Sequence, residues 1–330
     1  MRHTVLSMAT AFLVTFTALA SAEPGEPLSV ETAPERLNPE APDLERLGAL
    51  AWRGGLRLTS NHLEFGGLSG LLILEEGRKL LAVTDRGSWI TAKLIYDSQG
   101  WLASLEDARI GPLLDLHGTP VASTSGASDA EALALLPNGD VLVSFERKHR
   151  VLRYALIDGA PSGVPTAFAT PRGHPEGSNE GLEGLAELPN GVLGVSEGLT
   201  GQGPFGKTSI GFLWTGEAWA ETAFRPRDDL APVGAAPLPD NSGVLLLERH
   251  WSRIGGIRVR LSRVPMGSVT PGGMSEAVEL AFFRPPIVAD NYEGVAARRT
   301  QDGETLIYIV SDDNFNILQR NLLVMFAIEE

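Results

Sequence analysis

From Leu50 onward, apolar residues fall in short runs of strand length separated by turn residues. Runs of this kind bounded by Gly, Asn, Asp and Pro read as β-strands. The clearest unit spans Ser178 to Gly198. An apolar strand, Leu182 to Leu188, carries Glu183, turns at Pro189-Asn190-Gly191 and returns as a second strand ending at Glu197. Pro-Asn-Gly between two apolar runs marks a tight turn, because Asn and Gly tolerate positive φ. The same unit recurs from Asp129 to Arg147, with Glu131 six residues before Pro137 as Glu183 is six before Pro189. A third copy begins at Asn291 and carries Glu293. Two weaker copies begin at Gly66 and Val233, with Ser69 and Ala235 roughly where the others have Glu. A period of roughly 50 to 60 residues points to a repeat architecture.

Four strand candidates follow one another in each of the first four copies, and three in the last. Four strands per repeat predict an all-β chain folded as a β-propeller of five blades. Six blades are the alternative, if the long first copy holds an extra sheet between Ile90 and Ala127. A β-sandwich would leave the repeated Glu unexplained. The missing fourth strand of the last copy is assigned to the N-terminal run Leu50 to Leu58. That pairing would close the ring and remove two free sheet edges.

Composition adds an address. Met1 to Ala22 has a basic start at Arg2 and His3, an apolar stretch from Val5 to Leu19, and Ala20-Ser21-Ala22 as a cleavage site. This is the pattern of a Sec-type secretory signal cleaved after Ala22, so the expected location is periplasmic or secreted. Residues 23–43 are rich in Pro, Glu and Ala and read as a flexible lead-in, leaving 44–330 as one domain. The chain has no cysteine, which excludes disulfides, thiolate metal sites and a Cys nucleophile. A formal charge of −14 disfavours nucleic acid and anionic membranes as partners and suits divalent cations. No further segment is apolar for long enough to span a membrane. The expected partner is a small anionic or ester substrate, and the expected state a monomer.

The first strand of each propeller blade lines the central channel, so Glu131, Glu183 and Glu293 are expected to face a common axis. Buried carboxylates crowded together need compensation, and an oxygen-liganded Ca²⁺ is the natural candidate. The second strands end in further polar residues: Asp85-Arg86, Glu146-Arg147, Glu197, Glu248-Arg249 and Asp312-Asp313-Asn314. Asp85 and Asp312 are candidate helpers in holding the metal. Arg86, Arg147 and Arg249 are candidates for binding an anionic group by bidentate hydrogen bonds. The bland readings are that the acids are structural and the Arg–carboxylate pairs are pins between blades. His149 and His250 read as loop histidines with acid–base chemistry as the alternative. Trp89, Trp101, Trp214, Trp219 and Trp251 read as blade-packing aromatics. Gly201 to Thr208 fits two phosphate-loop patterns, but a strand-like run follows where a helix is required. The GxSxG elbow of α/β-hydrolases is absent.

Several of these motifs together resemble one family. GGLSGL with TDRG (Gly66 to Gly87), DAEAL with SFER, NEGLEGLA, LLLER, and NYEGVAA with VSDDNF (Asn291 to Phe315) are similar to the phytase-like family, often labelled esterase-like activity of phytase. The resemblance implies a β-propeller, an exported bacterial protein and hydrolysis of phosphoester or carboxylic ester bonds. The chain lacks a DDPA-type calcium motif of the true β-propeller phytases, which turns the expectation away from phytate. In the metal-dependent hydrolase so expected, Glu131, Glu183 and Glu293 are the catalytic metal-holding acids. The metal would polarise the substrate and acidify the attacking water. The alternatives are a lactonase or sugar-acid hydrolase using the same cation, and a non-catalytic periplasmic binding or scaffold propeller.

Overall fold

Each repeat folds as an antiparallel meander, and the five meanders stand around one axis in the computed structural model of the chain. The structure describes residues 25–121, 126–203, 206–225, 227–253 and 255–329. The expected secretory signal, Met1 to Ala22, lies outside the described residues. Blade 1 runs from its inner strand Leu68–Leu74 through Lys79–Thr84 and Ser88–Tyr96 to Leu102–Pro112. Blade 2 comprises Ala130–Leu135, Val141–Phe145, Arg150–Ile157 and Ala160–Phe168. Blade 3 comprises Leu182–Leu188, Gly191–Gly203, Gly206–Trp214 and Trp219–Phe224. Blade 4 comprises Ala231–Pro237, Gly243–Ser252, Gly256–Pro265 and Val278–Phe283. Blade 5 has three strands of its own, Asn291–Arg299, Thr305–Asp312 and Asn321–Ile328. Its fourth is Leu50–Thr59, which pairs with Asn321–Ile328 from Leu58 opposite Asn321 to Leu50 opposite Ile328. The N-terminal strand therefore closes the ring as the pattern predicts. The stretch that raised a sixth blade holds the two outer strands of blade 1, so the count is five.

The core lies between blades. Five buried apolar clusters fill the five interfaces, among the described residues. Leu71 and Leu80 meet Tyr308 and Val310 between blades 1 and 5, and Leu142 meets Leu182 and Leu185 between blades 2 and 3. This distribution follows from the sequence, since each strand buries both faces against neighbouring sheets and so reads as a continuous apolar run. No helix among the described residues is long and apolar enough to cross a membrane.

The lead-in expected at 23–43 differs over its described part. Glu26–Pro27 adds to the outer edge of blade 1 and Glu31–Pro34 to the outer edge of blade 5. Leu28 is buried between those blades, and Leu37 is buried with Leu50, Trp52 and Phe283. Pro fits here because an edge position spares it a donor role, and Leu37 O accepts a bond from Val288 N at 2.7 Å. The segment is a strap over the closure seam. Leu37→Ala is therefore expected to cost about 2–5 kcal/mol in urea denaturation, and removal of residues 44–64, which hold the closing strand, to abolish soluble folding. A neutral Leu37→Ala would return the segment to a passive leader.

Candidate functional site at the propeller axis

The site is built on a backbone irregularity repeated in every blade. Pairing between the first two strands skips a residue between Leu182 and Gly184, between Pro232 and Gly234 and between Tyr292 and Gly294. The ladder is likewise interrupted between Leu68 and Leu71 in blade 1, and in blade 2 opposite Val143 to Phe145. A bulge bends its strand and re-aims one side chain. The residues so placed are Ser69, Glu131, Glu183, Val233 and Glu293. Blade 4 thus offers Val233, six residues before Pro239, and not Ala235. The next residue packs against the neighbouring blade's backbone. A β-carbon on Gly184 would collide with Ala235 N, one on Gly234 with Glu293 O, and one on Gly294 with Ser69 O. Glycine there lets the inner strands close around the axis.

Strand alternation sets the tiers. Two residues further along stand Leu71, Leu133, Leu185, Ala235 and Val295, all buried. They form an apolar floor and, with Glu187 and Pro237 among others, line a cavity of about 190 Å³ at the far end of the axis. Two residues before the bulge stand Gly67, Asp129, Gly181, Ala231 and Asn291. The exits of the second strands supply the rest. Thr84, Phe145, Ser196, Glu248 and Ser311 oppose equivalent inner-strand positions. The residues after them are Asp85, Glu146, Glu197, Arg249 and Asp312. In blade 4 the acid–Arg step is therefore displaced by one position. Arg249 takes the place of an acid, while Glu248 lies 4.0 Å from the buried Arg260.

Burial and mutual repulsion govern this ring. Burial, then Glu293 and Asp129, raise Asp85 to about 8. Burial, then Glu293 and Asp85, raise Asp312 to about 9. Burial first, then the charge of Asp129, raises Glu146 to about 8. Glu131 is pushed well up by burial and by Glu183, Glu146, Asp85 and Glu293. Glu183 is pushed well up by burial and by Glu197, Glu146 and Glu293, against the relief of a 3.0 Å bond from Gly181 N to its Oε1. Asp85, Glu131, Glu183, Glu293 and Asp312, drawn from four blades, are thus within one another's field. Asn291 Nδ2 donates to Glu293 Oε1 at 2.6 Å and to Asp312 Oδ2 at 3.3 Å. Arg249 donates to Glu293 Oε1 at 2.8 Å and lies 3.7 Å from Glu197. Burial opposes its charge, but Glu293, Glu197, Glu183 and Asp312 together raise its pKa.

The three candidate arginines part company. Arg249 joins the ring. Arg147 is paired with Asp129 at its edge. Arg86 turns to the rim, where it donates to Leu63 O and lies 3.5 Å from the centroid of the Phe315 ring. The tightest acid group among the described residues is Asp129, Glu131 and Glu146, whose ligand atoms lie within 4.8 Å of one another. Asp129 and Asn291 were not picked out from sequence. The available signal was a polar residue two before the bulge Glu, hence on the same side of the strand. Asp85 Oδ1 and Glu146 Oε2 are buried without a hydrogen-bond partner. An all-oxygen set with orphaned acceptors fits a hard cation.

The remaining sequence candidates lie outside the ring. His149 Nε2 bonds Pro175 O at 2.9 Å, which pins the loop before blade 3, and His250 Nδ1 bonds Asp229 O at 2.9 Å. His174, 5.1 Å from His149 ring to ring, is lowered to about 4 by burial and then by His149. Gly201 to Gly203 and Gly206 to Thr208 pair as the two arms of a β-hairpin, so no helix terminus faces a phosphate there.

No curated protein matches the chain in sequence. In three dimensions it is similar to the PQQ-bound aldose sugar dehydrogenase of Streptomyces coelicolor (14% identity, 93% of this chain and 100% of that one, TM-score 0.46). It is similar also to an endo-arabinase of Bacteroides thetaiotaomicron (9%, 81% and 95%, 0.47) and to a gluconolactonase of Xanthomonas campestris (13%, 93% and 99%, 0.41). Likenesses at this level carry no chemistry. The family comparison is more direct, for the phytase-like family, described as esterase-like activity of phytase, matches residues 63–315, from Leu63 at the rim to Phe315 after the last axial acid. The chain belongs to the phytase-like family.

Proposed function

We propose that the protein is an exported, cation-dependent hydrolase of phosphoester or carboxylic ester bonds, with the axial acid ring as its site. The observation that carries the reading is that Asp85, Glu131, Glu183, Glu293 and Asp312 lie within one another's field, while Asp85 Oδ1 and Glu146 Oε2 are buried with no hydrogen-bond partner. Those five acids, with Asp129 and Glu146 beside them, would hold Ca²⁺. When bound, such a cation polarises the scissile group and acidifies water. The chain's own residues do the positioning. Asn291 fixes Glu293 and Asp312, the Gly181 amide fixes Glu183, and Arg249 supplies the positive charge to which an anionic group can bond. The apolar floor beneath the acids offers a ligand no side-chain hydrogen bond on that side of the ring. A lactone is a cyclic carboxylic ester and falls inside this reading.

Two measurements test it. The raised acids retain protons in the folded state that an unfolded chain, with carboxylates near 4, would release. In chelator, stability should therefore be greatest near pH 4 and fall as the pH rises through about 8 to 9, the values of Asp85 and Asp312. Ca²⁺ should reverse that fall. A flat profile in chelator, unmoved by Ca²⁺, would remove the charged ring from the account.

The second test separates catalysis from structure. A cation that binds only the folded form stabilises it by about 2.7 kcal/mol at a hundredfold excess over Kd. Glu183→Gln keeps the shape and removes the charge, so it should blunt the Ca²⁺ response and abolish hydrolysis of aryl phosphates or aryl esters. The apo fold should survive, and be slightly more stable at pH 8. Full activity in Glu183→Gln would refute the assignment.

A further inference from the structure

Several large apolar side chains of the rim face solvent. Ile317 is 100% exposed, Leu318 85%, Leu63 82% and Trp251 63%, with Phe315 half-exposed among them. Single exposed apolar residues need no explanation, but a group beside a candidate site does. The loop residues among them are held by contacts that begin at the ring. Phe315, Ile317 and Leu318 lie on the loop that follows axial Asp312. That loop is shaped by its own side chains: Asp312 Oδ1 accepts from Asn314 N at 2.6 Å, Asp313 Oδ1 from Phe315 N at 3.1 Å, and Asn316 Oδ1 from Leu318 N at 3.1 Å. Asp313 Oδ1 also accepts from Gly67 N at 3.2 Å, which ties this loop to the start of blade 1. Arg86 completes the tie by bonding Leu63 O while stacking on Phe315. Trp251 stands two residues beyond Arg249 on one strand, hence on the same side as the guanidinium that reaches Glu293. It does not pack within a blade, contrary to the expectation from sequence.

We propose that Leu63, Trp251, Phe315, Ile317 and Leu318 form a platform for the apolar part of the substrate. The substrate class is then an amphiphile, an alkyl or aryl ester whose acidic or ester head lies over the acid ring. The inference rests on the hydrolase reading. The platform meets the ring at two points, since its loop starts directly after Asp312 and Trp251 shares a strand with Arg249. A second copy of the chain is a poorer occupant, because a stable interface uses about 20–30 residues a side. An anionic bilayer is disfavoured by the charge of −14. Arg86 acts here as a positioning residue that clamps two loops.

The test uses the full mature chain with Ca²⁺ and two homologous series. One is calorimetric binding of n-alkylphosphonates from methyl to octyl. The other is kcat/KM for p-nitrophenyl esters from acetate to octanoate. Full burial of a methylene is worth about fourfold in affinity, and one-sided contact about twofold. A rise of about twofold per methylene is expected, flattened in the Ile317→Ser/Leu318→Ser double variant, whose melting temperature should match the wild type. Flat series in the wild type overturn the platform, whatever the rate on acetate. Chain-length-dependent binding without any hydrolysis sinks the hydrolase reading and leaves the platform standing. Co-sedimentation with phosphatidylcholine vesicles that the double variant loses would assign the patch to a membrane and overturn the proposal.

Discussion

Repulsion among carboxylates that the fold will not let separate is the constraint on which this structure turns. Five inner strands approach so closely that Gly184, Gly234 and Gly294 have no room for a β-carbon. The bulges just before Gly184 and Gly294 aim Glu183 and Glu293 at the axis, and the bulge of blade 2 aims Glu131 there. Nothing in such a ring can relax by moving a few ångströms, so compensation has to come from chemistry. Among the described residues the donors are few: Arg249 on Glu293 and Glu197, Asn291 on Glu293 and Asp312, the Ser69 hydroxyl on Glu293, Arg147 on Asp129, and the Gly181 and Asn314 amides on Glu183 and Asp312. That is too little for the acids present, and protons take up the difference, as the raised values of Asp85, Glu146 and Asp312 record.

Holding that arrangement takes a stiff scaffold. The five apolar interfaces between blades make every sheet depend on both neighbours, and the seam within blade 5, between Asn321–Ile328 and Leu50–Thr59, is where chain continuity does not help. Leu50–Thr59 closes it by hydrogen bonds, and the strap before it lays Leu28 and Leu37 into the cores on either side. Arg320, 3.0 Å from Asp290 and 3.6 Å from Glu35, ties the strap to blade 5.

How much of this the sequence discloses follows from which interactions are local. The blade count and the axial Glu positions are legible because the distance from Glu to the Pro-Asn-Gly turn is a property of one strand. Closure is legible because three strands and an orphan run have a single economical pairing. Register across strands is not local. The substitution of Val233 for a bulge Glu in blade 4, and the one-residue displacement that brings Arg249 into the ring, depend on Pro232 standing opposite Glu248. Neither residue pattern encodes that by itself. The strap was illegible for a related reason: a Pro- and Glu-rich composition describes 23–43 correctly on average, while two leucines decide where it lies.

The axis is also asymmetric, and this limits how any ligand can come and go. Above the bulges lie acids, Arg249 and solvent-facing loops; below them Leu71, Leu133, Leu185, Ala235 and Val295 close the bore with buried side chains. An ion or a polar head group crossing that tier would shed its hydration among side chains that offer no hydrogen bond, a cost of several kcal/mol. Under the proposed function, ligand and product would therefore share the acid face. In the proposed hydrolase a polar product would have to leave past the charges that held the substrate, with Arg249 between Glu197 and Glu293 as the group it would part from. The carboxylates that flank this guanidinium keep it from holding an anion too tightly, since each competes for the same donors. The crowding that makes the ring costly in the empty protein is thus what would let a charged product go.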